Sequence, residues 1–375
     1  MQDVFIVGAV RTPIGRGREE GALHGLHPVD LLAMTLNALV ERAGGEKRHV
    51  EDVVTGCVTP IGEQGADIGR LALLKAGFPI EVPGAQLNRF CGSGQQAIHF
   101  AAQAIAAGDM ELAIGCGVEM MSRVPIGSDG KLDGAFQAGF PYRILHQGIS
   151  AEMLAEKWKL SREALDEFSV RSHCCAAAAA RAGWTSAELF PVNGLDRDEG
   201  VRGSVDPAKM AALKPVFKPD GVITAGNSSQ ISDGAAAVLL ASERRARELG
   251  LRPRARLVTR VVVGSDPEMM LTGPIEATRR ALKRASLKIG DLSAIEINEA
   301  FASVPLAWAK EIEPPMERVN MQGGAIAHGH PLGATGAVLM TKLVHILERT
   351  GGRYGLQTMC IGFGMATATI IERAN

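Results

Sequence analysis

The sequence predicts an α/β protein built from two similar halves, and three observations carry that prediction. First, short apolar runs bounded by glycine alternate with amphipathic helical stretches, the pattern of helices packed on a mostly parallel sheet. Second, landmarks recur at a nearly constant offset: Pro28 and Pro274 lie 246 residues apart, Ser93 and Thr335 242, and Cys116 and Cys360 244. In both runs a small-residue turn opens a helix and a strand bearing Gly and Cys follows, as an internal duplication requires. Third, the chain has 375 residues, more than one hydrophobic core ordinarily organises, so two lobes are expected.

In the first run, residues 5–8 read as a strand, 29–40 as a helix entered through Pro28, 53–54 as a strand, 95–107 as a helix and 112–115 as a strand. The second run repeats the scheme, with a helix at 274–285, a strand at 295–297, a helix at 334–348 and a paired strand region over 356–371. Between the runs, residues 120–225 break the pattern. They hold a helix at 150–158, a helix start at Ser161, an alanine run at 176–180 and an irregular stretch at 191–206. This segment reads as an inserted lid or loop domain, and the alanine run as a helix packed closely on a neighbour. The expected division is therefore 1–244, including the insertion at about 120–225, and 252–375.

Composition removes several function classes. Lys plus Arg is 40 against 41 for Asp plus Glu, a net charge of −1, and aromatic residues are 4 %. A nucleic-acid binder needs a basic footprint or a stacking platform, and neither is present. Six scattered cysteines without a C-x-x-C pair argue against a disulfide framework or a zinc site. No apolar run approaches the roughly 18 residues of a membrane span, and the first residues lack a basic leader. A cytoplasmic protein with no membrane partner is expected. Glycine is the excess, 44 of 375 residues, and without excess proline it suggests tight turns and close backbone approaches.

Four clusters carry chemistry. In Asn88-Arg-Phe-Cys91-Gly-Ser-Gly94 a cysteine precedes a small-residue turn and a helix, whose positive end favours thiolate over thiol and marks Cys91 as a candidate nucleophile. A buried packing cysteine is the plain alternative. The same stretch fits G-x-G-x-x-A through Gly92, Gly94 and Ala97, which leaves a dinucleotide-dependent oxidoreductase as a rival. That fingerprint belongs in a first βα turn, with an acidic residue about 20 positions on, and neither condition is met. In the second cluster, residues 323–336, Gly329 and Pro331 fix His330 in a rigid loop entering a helix, where an imidazole can move a thiol proton or steady an enolate. His328 reads as a loop or pocket-wall residue, and His328 with His330 lacks the third ligand a metal needs. The third cluster, Thr358-Met-Cys360-Ile-Gly362, delivers a second thiol and a backbone N–H able to hold an oxyanion. In the fourth, Asn298 ends an apolar strand, where an amide holds a water or simply forms a turn.

Together these segments closely resemble the thiolase family, CoA-dependent enzymes that make or break the Cα–Cβ bond of 3-ketoacyl-CoA. The likeness runs over nearly the whole chain: Val10-Arg-Thr-Pro13, Asn88 to Gly94, Val222 to Asn227, Asp233-Gly-Ala-Ala236, Gly273-Pro274, Asn298-Glu-Ala-Phe-Ala302, Gly323 to Pro331 and Cys360-Ile-Gly362. The resemblance implies a fold of duplicated α/β/α/β/α layers with a lid. It also implies roles: Cys91 as acyl acceptor, His330 as its activating base, Cys360 as acid/base thiol, Asn298 as holder of an oxyanion-hole water, and the N–H groups of Cys91 and Gly362 as the other oxyanion hole. His146 matches a lid residue of the substrate pocket, and Thr259 stands where many members have a serine touching pantetheine. CoA would be a co-substrate with no tightly bound cofactor. Three departures from the family pattern bear on specificity and assembly. Phe363 replaces a common glycine. Gln147 stands where short-chain biosynthetic members carry Met, which favours the degradative direction over acetoacetyl-CoA synthesis. A short stretch between Glu119 and His146 favours a homodimer over a dimer of dimers. A thiolase-like acyl-CoA or lipid binder without catalysis is opposed by the presence of all three reactive residues. Many of the glycines beside those residues are expected to let backbone approach a thioester. Arg244, Arg245, Arg252, Arg254 and Arg256 read as a solvated face or as contacts to CoA phosphates.

Overall fold

The computed structural model describes residues 2–374 apart from Lys131 and Asp133. The first half runs β1 (Val4–Arg11), β2 (Gly15–Arg16), α1 (Pro28–Ala43), β3 (Asp52–Gly56), α2 (Ile68–Lys75), β4 (Gly84–Leu87), α3 (Ser93–Ala107) and β5 (Leu112–Met120). The insertion follows with α4 (Gly134–Gly139), α5 (Gln147–Lys157), α6 (Arg162–Arg181) and α7 (Pro207–Ala211), and β6 (Ser232–Ser242) and α8 (Glu243–Glu248) come after it. The second half runs β7 (Ala255–Gly264), α9 (Gly273–Ala285), β8 (Leu292–Ile297), α10 (Ser303–Ile312), α11 (Ala325–His328), α12 (Leu332–Thr350), β9 (Tyr354–Ile361) and β10 (Met365–Arg373).

The strand order makes the duplication visible. In the first half β3, β5, β6 and β1 lie side by side, and in the second β8, β9, β10 and β7 repeat that order with the same parallel and antiparallel senses. The extra strand β4 lies on the outer side of β3. The halves join through a short pair between β1 and β7, Phe5 with Arg256 and Ile6 with Ala255. The expectation of a mostly parallel sheet is corrected: only β3–β4, β3–β5 and β8–β9 are parallel, and the other pairs are antiparallel. The last two strands of each half cause this, because β9 turns into β10 through three residues and such a tight turn joins only antiparallel strands.

Five layers result. α1 and α2 cover the first sheet from outside, α3 and α12 cross between the sheets, and α9 covers the second, with Trp308 of α10 packed beside it. Helices buried on one side read as amphipathic, whereas α12 buries nearly every residue from Leu332 to Leu347 because both sheets press on it. That crossing explains three of the glycines, Gly94, Gly333 and Gly336. A Cβ on Gly94 would lie 2.7 Å from the Gly333 carbonyl oxygen, and one on Gly336 would lie 2.1 Å from the Gln95 nitrogen. These glycines, expected to face a thioester, instead let two helix N-termini approach each other. The alanine run of α6 packs on the loop of Gly323, where a Cβ would meet Ala176 at 2.8 Å. The insertion carries its own apolar cluster of Ala151, Leu154, Leu165, Phe168 and Ile223, which continues into Phe301, Val304 and Cys360 of the second half. Among the described residues no helix is long and apolar enough to cross a membrane.

Candidate active site

Cys91 stands two residues before the start of α3, on a turn that its neighbours clasp. Asn88 accepts from the Phe90 N–H at 2.8 Å through Oδ1 and donates to the Val58 carbonyl at 2.8 Å. Ser93 Oγ accepts from the Arg89 N–H at 2.8 Å and donates to the Phe90 carbonyl at 2.6 Å. These bonds hold Phe90 at φ +44°, a left-handed conformation that a bulky side chain resists. The thiol is buried, and burial pushes it up to about 11. The Gln147 amide, its own N–H and the Gly362 N–H pull the other way. Burial thus works against the pull expected of the helix end, and the net direction for the thiol is upward.

His330 occupies the corresponding place before α12. Gly329, at φ +108°, makes the turn, and a Cβ there would lie 2.3 Å from Ser232 Oγ. The same Ser232 hydroxyl accepts from the His330 N–H at 3.1 Å. The tautomer follows from Thr335. Its single hydroxyl proton goes to the Pro331 carbonyl at 2.8 Å, so its oxygen accepts from His330 Nδ1–H at 2.6 Å. Nε2 is left with its lone pair toward the site, receiving the Asn298 amide N–H at 3.3 Å. Burial holds the ring neutral, down to about 4. At neutral pH the resting pair is therefore thiol and neutral imidazole.

Cys360 is next to last in β9 and paired with Ala366 of β10. Burial, with the neighbouring Cys91 behind it, raises its thiol far above the ordinary value, and the Asn298 amide opposes the rise. Asn298 follows β8 and is tied in register by its N–H to the Thr358 carbonyl at 3.1 Å. Its Oδ1 is buried without a protein partner among the described residues. A connected set results, in which Gly362 and Gln147 reach Cys91, Cys91 neighbours Cys360, and Asn298 links Cys360 to His330.

A cavity of about 630 Å³ opens beside these groups, lined by His330, Gly362, His146, Gln147, Ser228 and Ser229 and by the aromatic rings Phe90, Phe217, Phe301 and Phe363. His146 caps α5, its Nδ1 accepting from the Gly148 N–H at 3.1 Å, and stacks on Phe217 at 5.0 Å between ring centres. Thr259 is a correction. It lies on the buried face of β7, paired with Ile370 and away from the cavity, whose hydroxyls come from Ser228 and Ser229. The other histidine of the pair, His328, faces a different network, with Nε2 against Lys342 Nζ at 3.3 Å, while that lysine also holds Glu296. Of the five arginines after β6, Arg244, Arg245, Arg254 and Arg256 are engaged by carboxylates, which favours the reading as a solvated face. Sequence reasoning missed the roles of Thr335, Glu119 and the Asn88–Ser93 clasp. Hydrophilic residues flanking a reactive side chain in a tight turn were the available signal.

A buried thiol near two backbone N–H groups, a second thiol and a base of fixed tautomer form a constellation suited to acyl transfer through cysteine. Two family models match, thiolase N-terminal domain over residues 4–244 and thiolase C-terminal domain over 251–373, and the chain belongs to the thiolase family of acyltransferases. It is 49 % identical to the steroid 3-ketoacyl-CoA thiolase FadA6 of Mycobacterium tuberculosis, over 100 % of this chain and 95 % of the relative. It is 42 % identical to 3-ketoacyl-CoA thiolases of Yersinia pestis and Klebsiella pneumoniae, with full coverage of both chains in each case.

Proposed function

We propose that the protein cleaves 3-ketoacyl-CoA with CoA to give acetyl-CoA and a shortened acyl-CoA. The observation that carries this reading is Asn298, whose amide sits between the sulfur of Cys360 and Nε2 of His330. Nε2 takes the Cys91 proton and the sulfur attacks the keto carbon. The N–H groups of Cys91 and Gly362 hold the alkoxide. The bond between the second and third acyl carbons breaks, and the enolate oxygen is steadied by His330 Nε2–H and a water on Asn298. Cys360 gives its proton to the enolate carbon, and acetyl-CoA leaves. Cys360 thiolate then takes the thiol proton of incoming CoA, whose sulfur displaces the acyl group, and His330 returns its proton to Cys91.

CoA enters as co-substrate, with no resident cofactor, and the lid residue His146 lies along the pantetheine arm. Residues 1–244 and 252–375 act as the two halves, with about 120–225 as lid. The protein works in the cytoplasm, supported by six unpaired cysteines. It assembles as a homodimer or a dimer of dimers through the outer edge of β4, flanked by the exposed side chains of Leu71, Leu74 and Ile80. Incubation with a 3-ketoacyl-CoA and free CoA, with the acyl-CoA products separated by chromatography, tests the reaction. Equal amounts of acetyl-CoA and the acyl-CoA two carbons shorter are expected. Recovery of unchanged substrate at stoichiometric enzyme would refute it.

A further inference from the structure

Beside the nucleophile, the cavity wall consists of two phenylalanines that the backbone holds against their own preference. Phe90 has φ +44° and Phe363 φ +59°, values that glycine adopts freely and a residue with a side chain does not. Such conformations persist where the surroundings over-determine them, and they gather at ligand clamps. The two rings pack on each other with centres 5.2 Å apart and planes at 55°, and both line the cavity. The Phe90 ring also lies 3.6 Å from where a Cβ on Gly362 would stand. Phe90 immediately precedes Cys91, and Phe363 immediately follows Gly362. An acyl group on the Cys91 sulfur with its oxygen at the Gly362 N–H therefore emerges against these two rings.

We propose that the Phe90–Phe363 pair is a shape filter for the transferred acyl group, admitting chains unbranched at the carbon next to the thioester carbonyl and rejecting those branched there. The inference rests on the acyl-Cys91 reading above and adds the substrate class. The filter works by occupied volume alone. No proton moves through either ring, and the strained turn persists because it puts a ring where glycine would leave a gap.

Two isomeric substrates isolate the effect. Thiolysis of 3-oxohexanoyl-CoA moves a butyryl group through Cys91, and thiolysis of 4-methyl-3-oxopentanoyl-CoA moves isobutyryl. The quantity to measure is the ratio of kcat/KM for the branched over the straight isomer. In the wild type the straight isomer is expected to lead. Phe363→Gly should raise the ratio by about tenfold or more, in the range that one methyl group commands in an apolar pocket. Its melting temperature should stay close to wild type, because glycine accepts the left-handed turn. Phe90→Leu gives a second reading, with the ratio moving the same way and by less. A ratio unchanged in both variants overturns the filter, whatever the absolute rates. A wild type that acylates Cys91 with neither isomer removes the acyl-enzyme beneath the filter, a failure distinguishable by mass from an unchanged ratio.

Discussion

Cys91 and His330 occupy the same place in the two halves of a duplicated fold, each two residues before its helix, α3 in one half and α12 in the other. Glu119 and Cys360 likewise stand next to last in the equivalent strands β5 and β9. The scaffold thus offers four matching positions, and the halves have filled them differently. Three hold the groups proposed to react. The fourth holds Glu119, whose carboxylate accepts from the N–H groups of Val58, Thr59 and Gly333 and from the Gln64 amide, at 2.8 to 3.1 Å. One half's carboxylate thus ties the start of the other half's helix, while its counterpart is a buried thiol. Equivalent geometry does not dictate equivalent chemistry. What separates the two is satisfaction: Glu119 receives four N–H donors and the Cys57 thiol, whereas Cys360 has its own N–H, the Asn298 amide and another thiol.

The comparison predicts a graded series of losses. Cys360→Ser should lower the thiolysis rate by about 10²- to 10⁴-fold, the usual contribution of a positioned acid/base. Cys91 in that variant should still react with iodoacetamide, and loss of both properties would mean a collapsed site. Thr335→Val comes next. It leaves the Nδ1–H of His330 buried and unpaired, at a cost of about 1–3 kcal/mol, so turnover falls roughly 5- to 150-fold while Thr335→Ser recovers most of it. Equal behaviour of the two variants would remove Thr335 from tautomer control.

The third test is pH dependence. Because the Cys91 thiol is raised to about 11, the thiolate fraction in the free protein grows about tenfold for each pH unit between 7 and 10. Its alkylation rate should rise with pH across that range, and Gln147→Met, which removes one donor to the sulfur, should slow it at fixed pH. An inflection below pH 8 would show that the helix end dominates after all. The smallest effect on turnover belongs to Glu119→Gln. Replacing the acceptor of these four N–H groups costs stability, about 1–3 kcal/mol for each donor left unpaired, and lowers the melting temperature while Cys91 still becomes acylated.

Cys91, His330 and Cys360 were legible because rigid punctuation surrounds each of them, and Asn298 because it ends an apolar strand. Of the antiparallel pairs only β9–β10 was legible, as a paired region over 356–371; the others were hidden because alternating strands and helices do not fix the sense of each pair and the insertion separates β5 from β6. Cys116, matched to Cys360 by offset, is three residues short of the matching position, which Glu119 fills. It lies in mid-strand with its sulfur 3.1 Å from Thr55 Oγ1. The family position assigned to Thr259 carries a hydroxyl but no access, because the alternation of β7 puts it on the same buried face as Leu257 and Val261. The glycines misled for a related reason. Composition reports that backbones come close, and only the fold shows that the approaches of Gly94 and Gly336 are helix to helix and those of Gly115 and Gly117 strand to helix. Thr335 was seen as a landmark of the repeat, and its hydrogen bond to His330 needed the turn between them.

The central claim is that Cys91 carries the acyl group. The protein mixed with acetoacetyl-CoA, quenched in acid and weighed intact tests it directly. The account predicts one added acetyl mass, mapped to the peptide holding Cys91, absent in Cys91→Ala and discharged by added CoA. An unmodified wild-type chain, or an adduct that persists in Cys91→Ala, would contradict it.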